Sequence, residues 1–301
     1  MTLMTYHNSV LLDESIEGLN IKPEGIYVDV TFGGGGHSKM ILNRLTSGKL
    51  FAFDKDRDAF ENNISNSNFK LINADFRHFK NFLRIEGVQK IDGLLADLGV
   101  SSHQFDIAER GFSIRFDGEL DMRMNSNSSL SARNVVNNYE HEELANIFYK
   151  YGDLRNSRNI ARKIIIARKS KEITTTNQLR EIVEFMVPIN KRNQFLARIF
   201  QAIRIEVNDE ISALEEMLLD AVSMLNYGGR LVVLSYHSLE DRMVKNLINK
   251  GNIEGKLLKD FYGNPIRVLK GLTRKPVLAS EEEILKNARS RSVKLRVAIK
   301  E

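Results

Sequence analysis

Four glycines stand in a row in Thr31-Phe32-Gly33-Gly34-Gly35-Gly36-His37-Ser38, directly after an apolar run. Bare backbone at such a place lets a ligand come against the main chain where a Cβ would collide with it. Gly33, Gly35 and Gly36 sit where that approach is needed, and the N-terminus of the helix beyond favours a carboxylate or phosphate. Asp54 follows eighteen residues after Gly36, near the ~20-residue spacing at which an acid reaches the ribose hydroxyls of a bound nucleoside. Together these residues point to an adenosine-containing cofactor. Asp29, just ahead of the glycines, separates the candidates. A pyrophosphate repels a carboxylate, whereas the α-ammonium of S-adenosylmethionine (SAM) attracts one, so SAM is preferred to NAD. Two readings of His37 stay open: a ring that donates to a loop carbonyl and holds the turn, or a direct contact with the ligand's carboxylate.

Two further stretches carry reactive side chains. "LLADLGVSS" delivers Asp97, a flexible Gly99 and the hydroxyls of Ser101 and Ser102; "LSYHSLEDR" delivers Tyr236, His237 and Ser238. Ser238 and Asp241 have the spacing of a helix capping box, while His237 has no such structural duty and is a catalytic candidate or a buried, hydrogen-bonded histidine. Methyl transfer from a sulfonium is an in-line displacement onto a lone pair, so positioning does most of the work and a dedicated base is optional. Where the acceptor is an exocyclic amine, a carboxylate or carbonyl that accepts its N–H bonds localises the lone pair. Asp97 and the carbonyls of Leu98 and Gly99 are placed for that work, and Asp97 could equally bind cofactor.

Parallel strands must position these groups. "IYVDVTF" (26–32), "LFAFD" (50–54), "FKLINADF" (69–76) and "IDGLLADLGV" (91–100) read as strands, with helical spacing in "HSKMILNRL" and "RDAFENNI" between them. Strand, helix, strand at this pitch predicts a parallel sheet with crossover helices, and ligands gather at the carboxyl ends of its strands. From about Glu109 four successive helical patterns follow, with Thr176 or Asn177 as an N-cap and Pro188 as a stop. "ISALEEMLLDAVSMLNYGG" then reads as a helix closed by glycines, feeding the strand "RLVVLSYH" (230–237) and a helix after it. The expectation is one α/β domain, 1–108 and 208–301, interrupted by an all-helical domain over 109–207. "NPIRVLK" and "SVKLRVAIK" alternate as partly exposed antiparallel strands do, with "FYG" and "NP" marking a turn.

Composition narrows the partners. Among 301 residues there is no cysteine, which excludes disulfides, iron-sulfur clusters and Cys-ligated zinc; six histidines without H-x-x-x-H spacing argue against a metal site. No repeat appears, no apolar run approaches the ~18–20 residues that span a bilayer, and the opening lacks the order of a secretory signal, so a cytoplasmic protein away from membranes is expected. The net charge of +5 is unevenly spread: thirteen Lys/Arg against five Asp/Glu from Lys150 to Val207, and six against none from Ile284 to Lys300. Such runs are often merely solvated faces, but two in one chain favour a polyanion, RNA or DNA.

The motifs "HNSVLLDE" (7–14), "DVTFGGGGHS" (29–38), "DLGVSS" (97–102), "ERGFS" with "LDMRM" (109–113 and 120–124), "FQAIRIEVNDE" (200–210), "SYHSLEDR" (235–242) and "ARSRSVKLR" (288–296) resemble, in order, those of the MraW/RsmH family. That family uses SAM to methylate N4 of a cytidine in the decoding centre of 16S ribosomal RNA. The resemblance implies a Rossmann-like class I methyltransferase sheet with an inserted helical domain that recognises RNA in the small ribosomal subunit. Carried over by motif, it implies SAM contacts at Gly35, Gly36, His37, Asp54, Phe76, Asp97 and Gln104, with Asp97, Ser101, Ser102 and His237 as the catalytic candidates and the oligomeric state open. This chain departs from the family's usual pattern at His103 and Phe105, in "SSHQFD" for "SSPQLD", and at Ala288 for proline. Losing a proline frees φ, so the fourth-strand turn is expected to be more mobile. Two other readings remain: an NAD(P) oxidoreductase, which the glycine loop alone permits, and a non-catalytic RNA-binding protein on a cofactor fold.

Overall fold

The computed structural model describes residues 9–301; His7 and Asn8, which open the first motif, lie outside the described residues. The chain divides into two compact units, one running up to Gly99 and resuming over Ile211–Glu301, the other Val100–Glu210.

The first unit opens with α1 (Leu12–Leu19), β1 (Ile26–Asp29), α2 (Gly36–Leu42), β2 (Lys49–Asp54), β3 (Phe69–Asn73), α3 (Phe79–Ile85) and β4 (Ile91–Asp97). Leu50, Phe51, Ala52 and Phe53 in succession are buried along β2, as are Leu94, Leu95 and Ala96 along β4. Unbroken apolar burial of this kind belongs to parallel strands covered on both faces. "RDAFENNI" forms a 3-10 helix over Arg57–Asn62, begun where the Asp56 carboxylate accepts from the Asp58 N–H.

The second unit holds α4 (Ser102–Asp106), α5 (Ala132–Asn138), α6 (His141–Lys150), α7 (Ser157–Ser170), α8 (Thr176–Val183) and α9 (Arg192–Asn208). Its core gathers Leu144, Phe148, Ile160, Ile164, Leu179 and Ile199. Where the sequence suggests a start at 109, the unit begins at Val100, because Val100 and Phe105 pack against that core. Thr175, one residue ahead of the expected cap, starts α8: its hydroxyl accepts from the Gln178 N–H while the Gln178 side chain accepts from the Thr175 N–H.

The chain then continues through α10 (Glu210–Met224), β5 (Leu225–Ser235), α11 (Ser238–Lys250), β6 (Leu269–Gly271), α12 (Glu281–Lys286) and β7 (Lys294–Lys300). No glycine closes α10. The "LNYGG" stretch belongs instead to β5, with Gly228 at φ 78°. One seven-stranded sheet results, in the order β3-β2-β1-β4-β5-β7-β6. Its first five strands are parallel, and β7 runs antiparallel to both β5 and β6. Strand order reverses between β1 and β4, and the crevice beyond the carboxyl ends of the strands at such a switch is where open α/β sheets bind ligands. At the far edge, "NPIRVLK" contributes only the first residues of the short β6. Residues 258–266 fold into a separate hairpin, in which the Ile266 N–H bonds the Leu258 carbonyl. Among the described residues no helix is long and apolar enough to cross a membrane.

Candidate active site

Three carboxylates close adjacent parallel strands: Asp29 on β1, Asp54 on β2 and Asp97 on β4. Asp29 has no exposed surface. Its Oδ1 accepts from the Thr31 N–H at 3.1 Å and the Thr31 hydroxyl at 3.4 Å, and its Oδ2 from the Ser38 hydroxyl at 2.7 Å. Burial raises its pKa, against the pull of His37 and of these hydrogen bonds. Asp29 therefore fastens β1 to α2.

Asp54 holds the glycine turn from the other side. Its Oδ2 accepts from the Gly33 N–H at 2.8 Å and its Oδ1 from the Asp56 N–H at 2.9 Å, while Asn62 donates to the Gly33 carbonyl at 3.2 Å. Burial lifts the Asp54 pKa to about 6. Gly33, at φ 50°, has open space where a Cβ would be, with nothing within 4 Å. Its neighbours differ. A Cβ on Gly35 would lie 2.9 Å from the Phe32 ring, and one on Gly36 would fall on the Ser9 hydroxyl. At Gly35 and Gly36 a side chain is thus excluded by the protein's own Phe32 and Ser9.

Asp97 is tied into the same cluster. Its N–H donates to the Thr31 hydroxyl oxygen at 2.6 Å, its Oδ1 accepts from the Tyr236 hydroxyl at 2.7 Å, and its Oδ2 lies 3.9 Å from His37 Nδ1. Burial, reinforced by the charge of Glu240 and opposed by the Tyr236 hydrogen bond, moves its pKa to about 7. Tyr236 is pushed well above the usual phenol range by burial and by Asp97, which keeps it a donor. The imidazole of His37, 5% exposed, approaches the Val10 carbonyl at 3.2 Å through Nε2. A proton on Nε2 makes that bond and leaves Nδ1 an acceptor facing Asp97. Burial lowers the His37 pKa and favours this neutral form. The ring thus ties the start of α2 to the segment at Val10.

His237 has the structural duty that the sequence assigns to Ser238. It is the N-cap of α11: its Nδ1 accepts from the Glu240 N–H at 3.4 Å, and the Glu240 carboxylate accepts from the N–H groups of Tyr236 at 2.9 Å and His237 at 3.2 Å. Asp241, freed from capping, binds Arg296 at 2.7 Å and Lys294 at 3.2 Å on β7. That pairing explains why "SLEDR" and "SVKLR" occur in one chain. Phe76 opens a 3-10 turn after β3 and packs, half-buried, on the sheet core. Ser101 and Gln104 belong to the second unit, where they cap α4 reciprocally, and Ser102 is the first residue of that helix. The structure thus gathers Asp29, His37, Asp54 and Asp97 into one cluster. Sequence reading missed Thr31 and Ser9, and named Tyr236 only as part of its turn.

Within the second unit the remaining motifs are architecture. Asn208 of "FQAIRIEVNDE" donates to the Met122 carbonyl and accepts from the Met124 N–H, both at 2.8 Å, which holds Met122 of "LDMRM" at φ 58°. Arg168, in the basic run on α7, donates to the Val136 and Tyr139 carbonyls, so it serves the end of α5. Arg158, Arg162, Lys163 and Lys169 are exposed.

A doubly wound sheet in this strand order, with an antiparallel β7 beside β5 and acids closing β1, β2 and β4, defines the class I SAM-dependent methyltransferase fold. Residues 4–301 match the MraW methylase family, and the chain belongs to that family. It is 55% identical over 304 residues to the ribosomal RNA small subunit methyltransferase H of Christiangramia forsetii, covering 100% of this chain and 99% of that one. Over 296 residues it is 54% identical to the protein so named in Phocaeicola vulgatus, covering 98% and 97%. Among solved structures, an rRNA methylase from Streptococcus thermophilus superposes with a TM-score of 0.43 at 13% identity, covering 96% of this chain and 93% of that one.

Proposed function

We propose that this protein transfers a methyl group from SAM to N4 of a cytidine in the decoding centre of 16S ribosomal RNA in the small subunit, in the cytoplasm. Whole-length similarity to the methyltransferases above supports the rRNA substrate. The observation that carries the cofactor and the chemistry is the buried carboxylate cluster of Asp29, Asp54 and Asp97, all three with raised pKa.

The donor set fits SAM. Its ammonium and sulfonium outweigh its carboxylate by one net positive charge, which a cluster of acids attracts, whereas the pyrophosphate of NAD(P) would be repelled. Asp54, bonded to the Gly33 N–H, would take the ribose hydroxyls; His37 and Asp97 border the same cluster, Phe76 after β3 would add an apolar contact, and Gly35 and Gly36 can offer only backbone. SAM supplies an electrophilic methyl carbon on a sulfonium leaving group. Asp97 would receive the N4 hydrogens of the cytosine and so localise the nitrogen lone pair toward that methyl carbon. The methylated nitrogen then carries an excess proton, and a carboxylate with a pKa of about 7 is matched to accept it near neutral pH. Tyr236 donates to Oδ1 and keeps the carboxylate aimed. His237 holds Glu240 and the start of α11, which makes it a positioning residue. Ser101, Ser102 and Gln104 at the start of α4, and the exposed cations of α7, are proposed to serve the RNA.

The test uses small subunits from a strain lacking the enzyme, incubated with purified protein and methyl-labelled SAM. One methyl per particle, recovered as N4-methylcytidine, is expected. Labelling of free cytidine or of DNA instead would refute the RNA assignment, and SAM binding without transfer would favour a non-catalytic RNA-binding protein.

A further inference from the structure

The hairpin beyond α11 is an uncovered surface that the methyl-transfer site does not use. Between Lys256 and Lys275 there are six cations, Lys256, Lys259, Arg267, Lys270, Arg274 and Lys275, and one acid, Asp260; Lys256 pairs with Glu254 at 2.6 Å and Lys270 with Glu301 at 2.7 Å, which leaves Lys259, Arg267, Arg274 and Lys275 to give the hairpin its positive charge. That acid is spent on the turn. Its Oδ1 accepts from the Tyr262 N–H at 2.9 Å and the Asn264 N–H at 2.8 Å, and its Oδ2 from the Asn264 amide at 3.2 Å, while the Asp260 N–H donates to the Asn264 carbonyl at 2.9 Å. Gly263, at φ 88°, completes the tip. The turn therefore holds a fixed shape, and it presents Phe261 97% exposed and Tyr262 86% exposed. The two rings stand edge to face, 5.7 Å apart at 87°.

Two aromatic rings held in water by a dedicated turn, with cations on both flanking arms, combine the two elements that bind single-stranded nucleic acid: ring faces for bases and positive charge for phosphates. A duplex offers no free base face, and an apolar protein partner would gain nothing from these cations. We infer that the 256–275 hairpin is a docking surface for unpaired RNA, with Phe261 and Tyr262 stacking on bases and Lys259, Arg267, Arg274 and Lys275 lying along the backbone. Taking that RNA to be the methylated substrate rests on the function proposed above; the stacking surface itself does not.

The experiment measures binding of a fluorescein-labelled single-stranded RNA of mixed sequence, and of the same strand annealed to its complement, to the full chain by anisotropy. Losing a stacked ring weakens single-stranded binding roughly 5- to 150-fold, so F261A/Y262A is expected to lose at least that, while F261W/Y262W retains affinity. SAM affinity by calorimetry and the urea midpoint are expected to stay unchanged, since both rings lie in water. Parental RNA affinity in F261A/Y262A overturns the inference. So does a loss confined to phosphatidylserine vesicles, which would make the surface a membrane contact, or a parental dimer that the substitution turns to monomer with RNA affinity intact. If F261A/Y262A loses RNA binding but the parent methylates no subunits, the proposed function fails and the stacking surface stands. Normal methylation together with unchanged RNA affinity removes the stacking surface and leaves the proposed function intact.

Discussion

Replacing Asp97 by asparagine separates what the carboxylate does for the reaction from what it does to the fold. Asparagine retains the Oδ1 that accepts from Tyr236 at 2.7 Å and puts an amide donor where Oδ2 faces His37 Nδ1, so the hydrogen bonds can be kept while the ionisation is lost. In the parent, the Asp97 pKa rises from 3.8 to about 7 on folding. The native state therefore binds more protons than the unfolded state between about pH 4 and pH 7, and stability falls as pH rises through that window. Worked from those two values, the raised pKa lowers stability relative to acid pH by about 1.7 kcal/mol at pH 5 and about 4 kcal/mol at pH 8, as an upper bound, since a raised pKa of 1 unit is about 1.4 kcal/mol. His37, held neutral by burial, tilts the curve the opposite way below its unfolded pKa. The quantity to read is accordingly the difference between variant and parent. In urea unfolding, Asp97→Asn is expected to gain about 2–3 kcal/mol on the parent between pH 5 and pH 8, while methyl transfer to small subunits falls by at least ~100-fold. A pH-independent difference would show that folding does not raise the Asp97 pKa, and normal turnover would remove it from the reaction.

Gly36→Ala should destabilise the protein by about 1–3 kcal/mol through collision with Ser9, and Ser9→Gly should restore the loss; a drop in SAM affinity with unaltered thermal stability would return Gly36 to ligand clearance. Asp241→Ala leaves Arg296 and Lys294 facing each other without their shared carboxylate and is expected to cost about 2–4 kcal/mol in denaturant titration. A loss under ~0.5 kcal/mol, typical of exposed ion pairs, would make the pair a surface one. Substituting Arg162, Lys163 and Lys169 by alanine should flatten the salt dependence of RNA binding by up to ~0.7 per lost phosphate contact, whereas Arg168→Ala should act chiefly on stability through the Val136 and Tyr139 carbonyls. Equal salt-slope losses from Arg168 and from the other three would contradict that division.

The parallel strands, the acids at their carboxyl ends and the helical interruption could all be read from the chain, because each is a local pattern: unbroken apolar runs for β2 and β4, an acid at the end of each, and helical spacing after Glu109. What the sequence hid depends on partners distant along the chain. The clearance at Gly36 is decided by Ser9 and the orientation of His37 by Val10, and neither pairing leaves a periodic trace. The cap of α11 shows how near a local rule can come and still assign the wrong residues. Ser238 and Asp241 have the capping spacing, yet Asp241 has Arg296 and Lys294 on β7 to bind, more than fifty residues away, so the box moves back one residue to His237 and Glu240. That shift alters the chemistry, not only the boundary. With Glu240 buried at 3% exposure beneath the turn, its charge helps keep the Asp97 proton, and the Tyr236 hydroxyl is left pointing at Asp97. The motif "SYHSLEDR" is therefore one device: its tyrosine aims the carboxylate of β4, its histidine and glutamate fix the turn and tune that carboxylate, and its aspartate locks the helix to β7.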